Sequence, residues 1–157
     1  MGTDGDPAQR AYERAIRLLA RRAHAREELY RKLVDRGVPK DLTREAVTRV
    51  AAEGYLDDLE FARSFARDAR DHKGWAPARI KRDLVRRGVS PADAEEATRE
   101  LFTETDLLEQ AVTLARKRAP QLSGDRESVR RRLAAYLERR GFPMSVCRAA
   151  VDDVAPF

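Results

Sequence analysis

The sequence predicts an all-helical protein built from three tandem three-helix repeats that form an elongated, curved rod. Composition is the first observation: 38% of the 157 residues are charged and 6% are aromatic, a balance typical of many short amphipathic helices. An internal repeat anchored on three glycines is the second. The third is the apolar pattern, which follows the 3.6-residue period of helices and contains no long Val/Ile run for a buried parallel sheet.

The internal repeat can be counted from its three glycines. Gly37, Gly88 and Gly141 lie 51 and then 53 residues apart, and similar residues stand at common offsets from each. Before the glycines these are Leu29, Ile80 and Leu133; Leu33, Leu84 and Leu137; and Arg36, Arg87 and Arg140. After them they are Val38, Val89 and Phe142; Ala46, Ala97 and Ala150; and Val50, Leu101 and Val154. A proline also follows each glycine within three residues, at Pro39, Pro91 and Pro143. So many coincidences indicate a structural repeat.

The chemistry of each unit predicts two helices joined by a glycine turn. Apolar residues four apart lie on one helix face. The glycine that follows suits a left-handed C-terminal cap, and the arginine before it complements the helix dipole. A second helix then begins, as at Ser90-Pro91, where a capping serine precedes a proline at the first helical position. Each unit therefore contains a helix-turn-helix.

A further helix is predicted before each pair. The apolar stripes of these three helices run from Tyr12 to Ala23, from Phe61 to Ala69 and from Leu108 to Ala119. The starts of the three helices are marked by Asp6-Pro7, Asp57-Asp58 and Thr105-Asp106. Nine helices in three units result, with a flexible segment at 1–9 and repeats at 10–54, 55–104 and 105–157. A unit of this size is marginal alone, so neighbours are expected to stack.

Several classes of protein are excluded by the same residues. No apolar run reaches the roughly 20 residues of a membrane span, and the polar start lacks the apolar core of a secretory signal. A single cysteine, Cys147, suits a reducing compartment, so we expect a cytoplasmic protein. His24 and His72 have no partners at zinc-site spacing. Because no phosphate-binding loop, dinucleotide motif or nucleophile elbow occurs, we expect a protein that is not an enzyme and needs no cofactor or metal.

One segment resembles a known family. Gly54-Tyr55-Leu56-Asp57-Asp58, followed by Phe61-Ala62, is similar to the hallmark segment of the RecX proteins. The first unit (Arg22, Arg26-Glu27-Glu28-Leu29 and Leu33) and the second (Gly74, Ile80, Leu84, Gly88 and Val89) resemble the corresponding family signatures. The resemblance covers the chain from Tyr12 onward. Ala25 is a departure, because the family usually has a capping serine there, and its loss should cost about 1 kcal/mol.

The resemblance implies a fold, a partner and an activity. RecX proteins are rods of three three-helix repeats that bind the RecA–single-stranded-DNA filament, inhibit its ATPase and strand exchange, and limit its growth. We therefore expect a monomeric negative regulator of RecA, with weak, nonspecific DNA binding. Two other functions remain open: a nonspecific DNA-binding helix-turn-helix module, or a helical-repeat adaptor for another protein.

Basic residues concentrate on the first two helices of each unit. In the middle unit, Arg79, Arg82 and Arg86 are predicted to share one face, turned away from Ile80 and Leu84. The candidates for contact with RecA or DNA are Arg21, Arg22, Arg26, Arg31, Lys32, Lys73, Arg79, Arg82, Arg86, Arg116, Lys117, Arg118, Arg130 and Arg131. The net charge of +5 and this clustering favour a positive track. The competing interpretation is a solvated arginine-rich face.

Other conspicuous residues have structural interpretations. The single tryptophan, Trp75, is expected to pack between repeats rather than to stack on a base. Tyr55 and Phe61 are expected in the core of the hallmark junction, with Leu56 beside them. The carboxylates of Asp57, Asp58 and Glu60 could hold a metal, but the place of Asp57-Asp58 before a helix favours N-terminal capping. Cys147 is expected to be buried and inert.

Overall fold

The computed structural model of the chain describes residues 5–156, and over that range the nine predicted helices are present in order. They are α1 (Pro7–Arg21), α2 (Arg26–Asp35), α3 (Lys40–Ala52), α4 (Asp58–Lys73), α5 (Pro77–Arg86), α6 (Pro91–Leu101), α7 (Glu104–Arg118), α8 (Arg126–Arg139) and α9 (Met144–Val154). A single turn of 3-10 helix, Ala119–Gln121, extends α7. The all-helical prediction is therefore confirmed for the described residues.

Each group of three helices has its own core. In all three groups the first and third helices pack together, and the second helix closes the unit. The apolar columns of the sequence repeat form the centres of these cores: Leu29, Leu33, Ile80, Leu84, Leu133 and Leu137 are all 0% exposed. Because equivalent positions are buried equally, the repeat seen in the sequence is a repeat of the packing.

The glycine turns adopt the predicted left-handed conformation. Gly37, Gly88 and Gly141 have φ of 89°, 95° and 95°. In the middle unit the N–H of Gly88 donates to the carbonyl of Val85 at 3.0 Å, and that of Val89 to the carbonyl of Leu84 at 3.0 Å. These bonds satisfy carbonyl groups that the end of α5 would otherwise leave unpaired.

Two of these turns also join neighbouring repeats. A Cβ placed on Gly88 would lie 2.3 Å from the Cβ of Glu27 in α2, and one on Gly141 would lie 2.5 Å from the backbone N of Arg79 in α5. Each turn thus packs directly on the second helix of the preceding repeat. A Cβ on Gly37 meets nothing within 4 Å among the described residues.

In the first and second repeats, the alanine just before the second helix packs in the core of the next repeat. Ala25, 0% exposed, packs in the core formed by α4 to α6, and Ala76, also 0% exposed, packs in the core of α7 to α9. Described contacts of side chains join only consecutive repeats. Within residues 5–156 the second repeat thus connects the first repeat to the third.

Three expectations about local structure are corrected. Part of the predicted flexible segment at 1–9 is helical, since α1 begins at Pro7 with the Asp6 side chain accepting from the N–H of Ala8; residues 1–4 of that segment lie outside the described part. The seventh helix starts at Glu104, before the predicted Thr105-Asp106, because Thr103 and Asp106 form a reciprocal capping box. Tyr55, expected in a core, is 58% exposed.

Candidate functional site

The hallmark segment is a structural joint between the first and second repeats. Asp57 caps α4, its Oδ1 accepting from the N–H of Glu60 at 3.1 Å. Asp58 instead caps α2 of the first repeat, its Oδ1 accepting from the N–H of Arg26 at 2.8 Å. Leu56 packs on the first core and Phe61 lies in the second. Both carboxylates thus cap helices, as the sequence predicts.

The Asp58 cap accounts for the missing serine at position 25. Ala25 is the N-cap residue of α2, but its methyl side chain cannot accept a hydrogen bond from the first N–H groups of that helix. Asp58 supplies the acceptor from the next repeat, while the small Ala25 side chain fits into that repeat's core. The expected loss of a cap is therefore corrected: the cap is present, but it comes from across the junction.

A largely covered carboxylate joins the same two repeats. Glu28, with 11% of its side chain exposed, pairs with Arg22 at 2.9 Å and with Arg87 of α5 at 3.0 Å. Burial of the Glu28 carboxyl favours its neutral form, but the hydrogen bond and charge of Arg22, supported by the charge of Arg87, outweigh burial and lower its pKa. Arg22 is thus a junction residue as well as a predicted surface cation.

His24 lies behind this pair and is only 3% exposed. Its Nδ1 is 2.9 Å from the carbonyl of Arg22, which can only accept, so Nδ1 carries the proton. Its Nε2 accepts from Nζ of Lys32 at 3.0 Å. Burial, and then the charges of Arg22 and Lys32, lower the pKa of His24 despite the carbonyl's opposing influence. A neutral histidine therefore holds the predicted cation Lys32 against the first repeat.

The junction of the second and third repeats uses Arg79, which also contacts Trp75. The guanidinium of Arg79 lies 4.1 Å from the centre of the Trp75 ring, and its Nη1 donates to the carbonyl of Arg139 at 3.1 Å. Nζ of Lys73 also lies over the half-buried Trp75 ring, 4.6 Å from its centre. The Trp75 ring packs on the second core beside Phe65. Arg79 therefore joins the second and third repeats, whereas the contacts of the Trp75 ring lie within the second repeat.

In the third repeat several predicted cations are bound within the repeat. Arg116 pairs with Asp153 at 2.9 Å, and Arg118 donates to Gln121 at 2.7 Å. Arg130, with 15% of its side chain exposed, contacts Asp152 and the carbonyl of Ala155. Arg79 and Arg130 thus make contacts within the fold, and their contact with a partner stays a prediction.

The rest of the predicted set lies on the surface. Arg31 and Arg86 are mostly exposed; Arg31 donates to the carbonyl of Arg86 at 3.0 Å, and Arg86 has Asp83 at 3.9 Å. The side chains of Arg21, Arg26, Arg82, Lys117 and Arg131 are exposed and pair with no described residue. The structure therefore divides the predicted track into junction residues and a smaller group of free cations.

Sequence reasoning missed one basic cleft on the first repeat. Arg14, Arg17, Arg21 and Arg36 line an open cleft of about 320 Å³. Of these only Arg21 was predicted. The signal was present in α1, where arginines at 14, 17 and 21 follow helical spacing and so lie on one face. The contribution of Arg36 could not be read from spacing, because it comes from the turn after α2.

Cys147 is buried, and burial raises the pKa of its thiol, as suits an inert side chain. Among residues 5–156 no group of three or more His, Cys, Asp or Glu side chains could hold a metal ion. No helix in that range is both long and apolar enough to cross a membrane.

Three sequence models of one family match the chain in order. They are the first three-helix domain of RecX over residues 11–49, the second over 57–97 and the third over 104–151. Together the matches follow the three repeats of the structure from the first core to the last.

Individual proteins give the same result. The regulatory protein RecX of Xanthomonas campestris pv. campestris is 38% identical over 142 residues, covering 90% of this chain and 86% of the relative. That of Pseudomonas putida is 41% identical over 133 residues, covering 84% and 83%, and that of Prosthecochloris aestuarii is 34% identical over 152 residues, covering 97% of each.

Solved structures share the fold. The crystal structure of RecX from Lactobacillus salivarius superposes with a TM-score of 0.82 at 23% identity, covering 95% of this chain and 97% of that one. A second crystal structure of regulatory protein RecX gives 0.86 at 22% identity, covering 94% and 74%. At these identities the likeness concerns the fold alone.

Proposed function

This chain belongs to the RecX family of regulatory, non-enzymatic proteins, and on that basis we propose that it is a negative regulator of RecA recombinase. In this proposal it binds the RecA–single-stranded-DNA filament and inhibits its ATPase, its strand exchange and its growth. The observation that carries the proposal is the match of all three RecX domains, in order, over most of the chain.

The arrangement of the repeats supports a steric mechanism. Each junction is held by direct backbone packing at Gly88 or Gly141, and by ion pairs or hydrogen bonds from arginines on both sides. Three units joined in this way can span neighbouring subunits of a helical filament. A bridge between subunits would hinder the movements that accompany ATP turnover and the addition of further subunits.

Free cations on successive repeats support an electrostatic contribution. Arg26 lies on the first repeat, Arg82 on the second, and Lys117 and Arg131 on the third, all exposed. Such groups attract acidic protein surfaces and DNA phosphates without recognising a specific base sequence. We therefore propose that the protein acts as a monomer in the cytoplasm, with the RecA filament as its main partner and DNA as a weak, nonspecific one.

The test is the ATPase of RecA on single-stranded DNA, measured with increasing amounts of this protein. Inhibition below one molecule per RecA subunit is expected if the assembled filament is the target. Unchanged ATPase and strand exchange at a stoichiometric excess would reject the proposal and favour an adaptor with another partner.

A pair of matched variants tests the contribution of charge. The double substitution Arg82→Gln with Arg131→Gln removes two free cations and should weaken inhibition severalfold. Arg44→Gln with Arg148→Gln removes the same charge from exposed, unpaired positions on α3 and α9 and should inhibit as the parent does. Equal weakening by both would mean that only net charge matters. Arg79 is avoided because it stabilises a junction.

A further inference from the structure

The two junctions between repeats are built alike but are held by different kinds of contact. At the second junction the N–H of Ala76 donates to the carbonyl of Arg140 at 2.7 Å, and this is the one backbone–backbone hydrogen bond within residues 5–156 that joins two repeats. Ala76 is 0% exposed, so water does not compete for its N–H. Arg79 adds a hydrogen bond from Nη1 to the carbonyl of Arg139 at 3.1 Å. The acceptors at the second junction are therefore uncharged backbone groups.

The polar contacts that cross the first junction each involve a charged side chain. They are Arg87 with Glu28 at 3.0 Å, Arg31 with the carbonyl of Arg86 at 3.0 Å, and the Asp58 carboxylate with the N–H of Arg26 at 2.8 Å. In the ion pair, 35% of the Arg87 side chain is exposed. Dissolved ions weaken such an accessible pair, whereas they leave a buried hydrogen bond between backbone groups nearly unchanged. The two junctions are therefore expected to respond differently to salt.

The glycine turns show the same difference between the junctions. A Cβ on Gly141 would meet backbone atoms, lying 2.5 Å from N of Arg79 and 3.0 Å from the carbonyl oxygen of Ala76. A Cβ on Gly88 would meet mainly a side chain, lying 2.3 Å from Cβ and 2.7 Å from Cγ of Glu27. Gly141 is buried, whereas Gly88 is half-buried. The turn at the second junction is thus more completely enclosed than the turn at the first.

The covalent connections between repeats also differ. Residues 53–57 separate α3 from α4, whereas residues 102 and 103 alone separate α6 from α7. The longer connection contains Gly54, at φ 83° with open space around it, and Tyr55, which is 58% exposed. The shorter one ends in the reciprocal capping box that begins α7. Because a hinge consists of a few connecting residues that absorb changes in backbone angle, the first connection is suited to this role.

Three open clefts border the first junction. Their volumes are about 370, 380 and 260 Å³, and residues of both repeats line each one: Ala23 and Phe65, Tyr30 and Gly88, and Lys32 and Asp83. Solvent thus reaches the contact between α2 and α5 from these clefts, and the two repeats have room to change their angle.

We propose that the first junction is a hinge that loosens as ionic strength rises, while the second and third repeats keep a fixed arrangement. The pivot is the 53–57 connection, and the contact that closes the hinge is the Arg87–Glu28 pair. A single buried side chain of the first repeat, the methyl group of Ala25, lies in the second core, so loosening uncovers little apolar surface. The array then consists of a rigid arm of two repeats and an arm of one repeat whose angle depends on charge.

Distances between spin labels on the full chain test this proposal. Cys147→Ala removes the native thiol and introduces the residue found at the equivalent position, Ala94. Thr48→Cys with Ala92→Cys spans the first junction, and Ala92→Cys with Ala149→Cys spans the second; all three sites are exposed. Double electron–electron resonance is recorded at about 0.1 M and about 1 M NaCl, between which the screening length falls from about 10 Å to about 3 Å. The distance distribution across the first junction should broaden and shift, and that across the second should stay the same.

A pair of matched variants tests the contact that closes the hinge. Glu28→Gln should give the broad distribution across the first junction already at low salt, with little further response to added salt. Glu100→Gln is the control, because it removes an ion pair of 2.9 Å with Arg63 that lies within the second repeat, and it should behave as the parent does. Circular dichroism measures the helix content of every sample.

Three results would overturn the proposal: a first distribution that salt leaves unchanged, equal responses at both junctions, or the same behaviour in Glu28→Gln and Glu100→Gln. Loss of the helical signal at high salt would also reject it, because the change in distance would then reflect unfolding. The samples contain no partner, so the outcome is separate from that of the filament proposal.

Discussion

Nη1 of Arg87 donates to Oε2 of Glu28 at 3.0 Å, joining α5 to α2 across 59 residues of sequence. The carboxylate is almost covered, and Arg22 holds its other oxygen at 2.9 Å. The arginine that ends the second helix of one repeat is thus bound by the second helix of the repeat before. This contact makes the junction, rather than a single repeat, the unit on which stability depends.

The first prediction concerns that carboxylate. Glu28→Gln keeps the shape of the side chain but removes the charge that two guanidinium groups share. Because Arg22 and Arg87 are partly exposed, the loss in free energy of unfolding should be about 1–2 kcal/mol rather than that of a fully buried pair. Urea denaturation measures it. Glu27→Gln is the control: its pair with Arg31, at 3.5 Å and half exposed, should contribute less than about 0.5 kcal/mol.

The second prediction is a loss of stability in acid that depends on His24. Its pKa is lowered in the fold, chiefly by burial, so protonation favours the unfolded chain. The contribution of His24 is therefore present above pH 6.5, the ordinary value, and is lost as the pH falls below it. Unfolding in urea at pH 7.5 and 5.5 should show this loss for the parent and for His72→Gln, but a smaller one for His24→Gln.

A third prediction compares two glycines with the same backbone conformation. Alanine at Gly37 suffers only the cost of a left-handed φ, about 1–2 kcal/mol. Alanine at Gly88 also drives a methyl group into Glu27 at the repeat junction, and should cost about 2–4 kcal/mol in total. Thermal or urea unfolding measures both variants. Equal losses in free energy of unfolding would contradict the prediction, because they would mean that the junction accommodates the added methyl group without a loss of stability.

The fourth prediction addresses the cap supplied from the neighbouring repeat. Asp58→Ala removes the acceptor for the N–H of Arg26 and should lower the free energy of unfolding by about 1 kcal/mol. Asp41→Ala, in the first turn of α3, removes an exposed carboxylate near a helix N-terminus and should cost about 0.5 kcal/mol. Hydrogen exchange gives a second measurement: the first amides of α2 should lose protection only in the Asp58 variant.

Much of the fold could be predicted from the chain because its signals are local. Leu29, Ile80 and Leu133 were expected inside from their offsets, and all three are fully buried. Gly88 was expected to be left-handed from the turn that it must make, and it is. Helical period, glycine turns and N-terminal caps each depend on a few neighbouring residues, so sequence alone contains them.

The interaction surface was only partly predictable. Exposed Arg82 and Arg131 were identified from helical spacing, but Arg79, at the same spacing, lies on Trp75 and the next repeat. Tyr55 was expected in a core and is exposed, because the connection that carries it turns Leu56, not Tyr55, towards the first core. Such outcomes depend on which residues the neighbouring repeat brings near.

The sequence by itself determined that this protein is a helical array of three repeats, with its cores, turns and family. Only the tertiary structure decided which arginines serve the junctions and which are free. Arg36, Arg87 and Arg140 occupy the same position in the repeat, yet the last two bind the preceding repeat and the first faces an open cleft. A long, charged side chain pairs with whatever lies within its reach, and that is set by the stacking of the repeats rather than by sequence spacing.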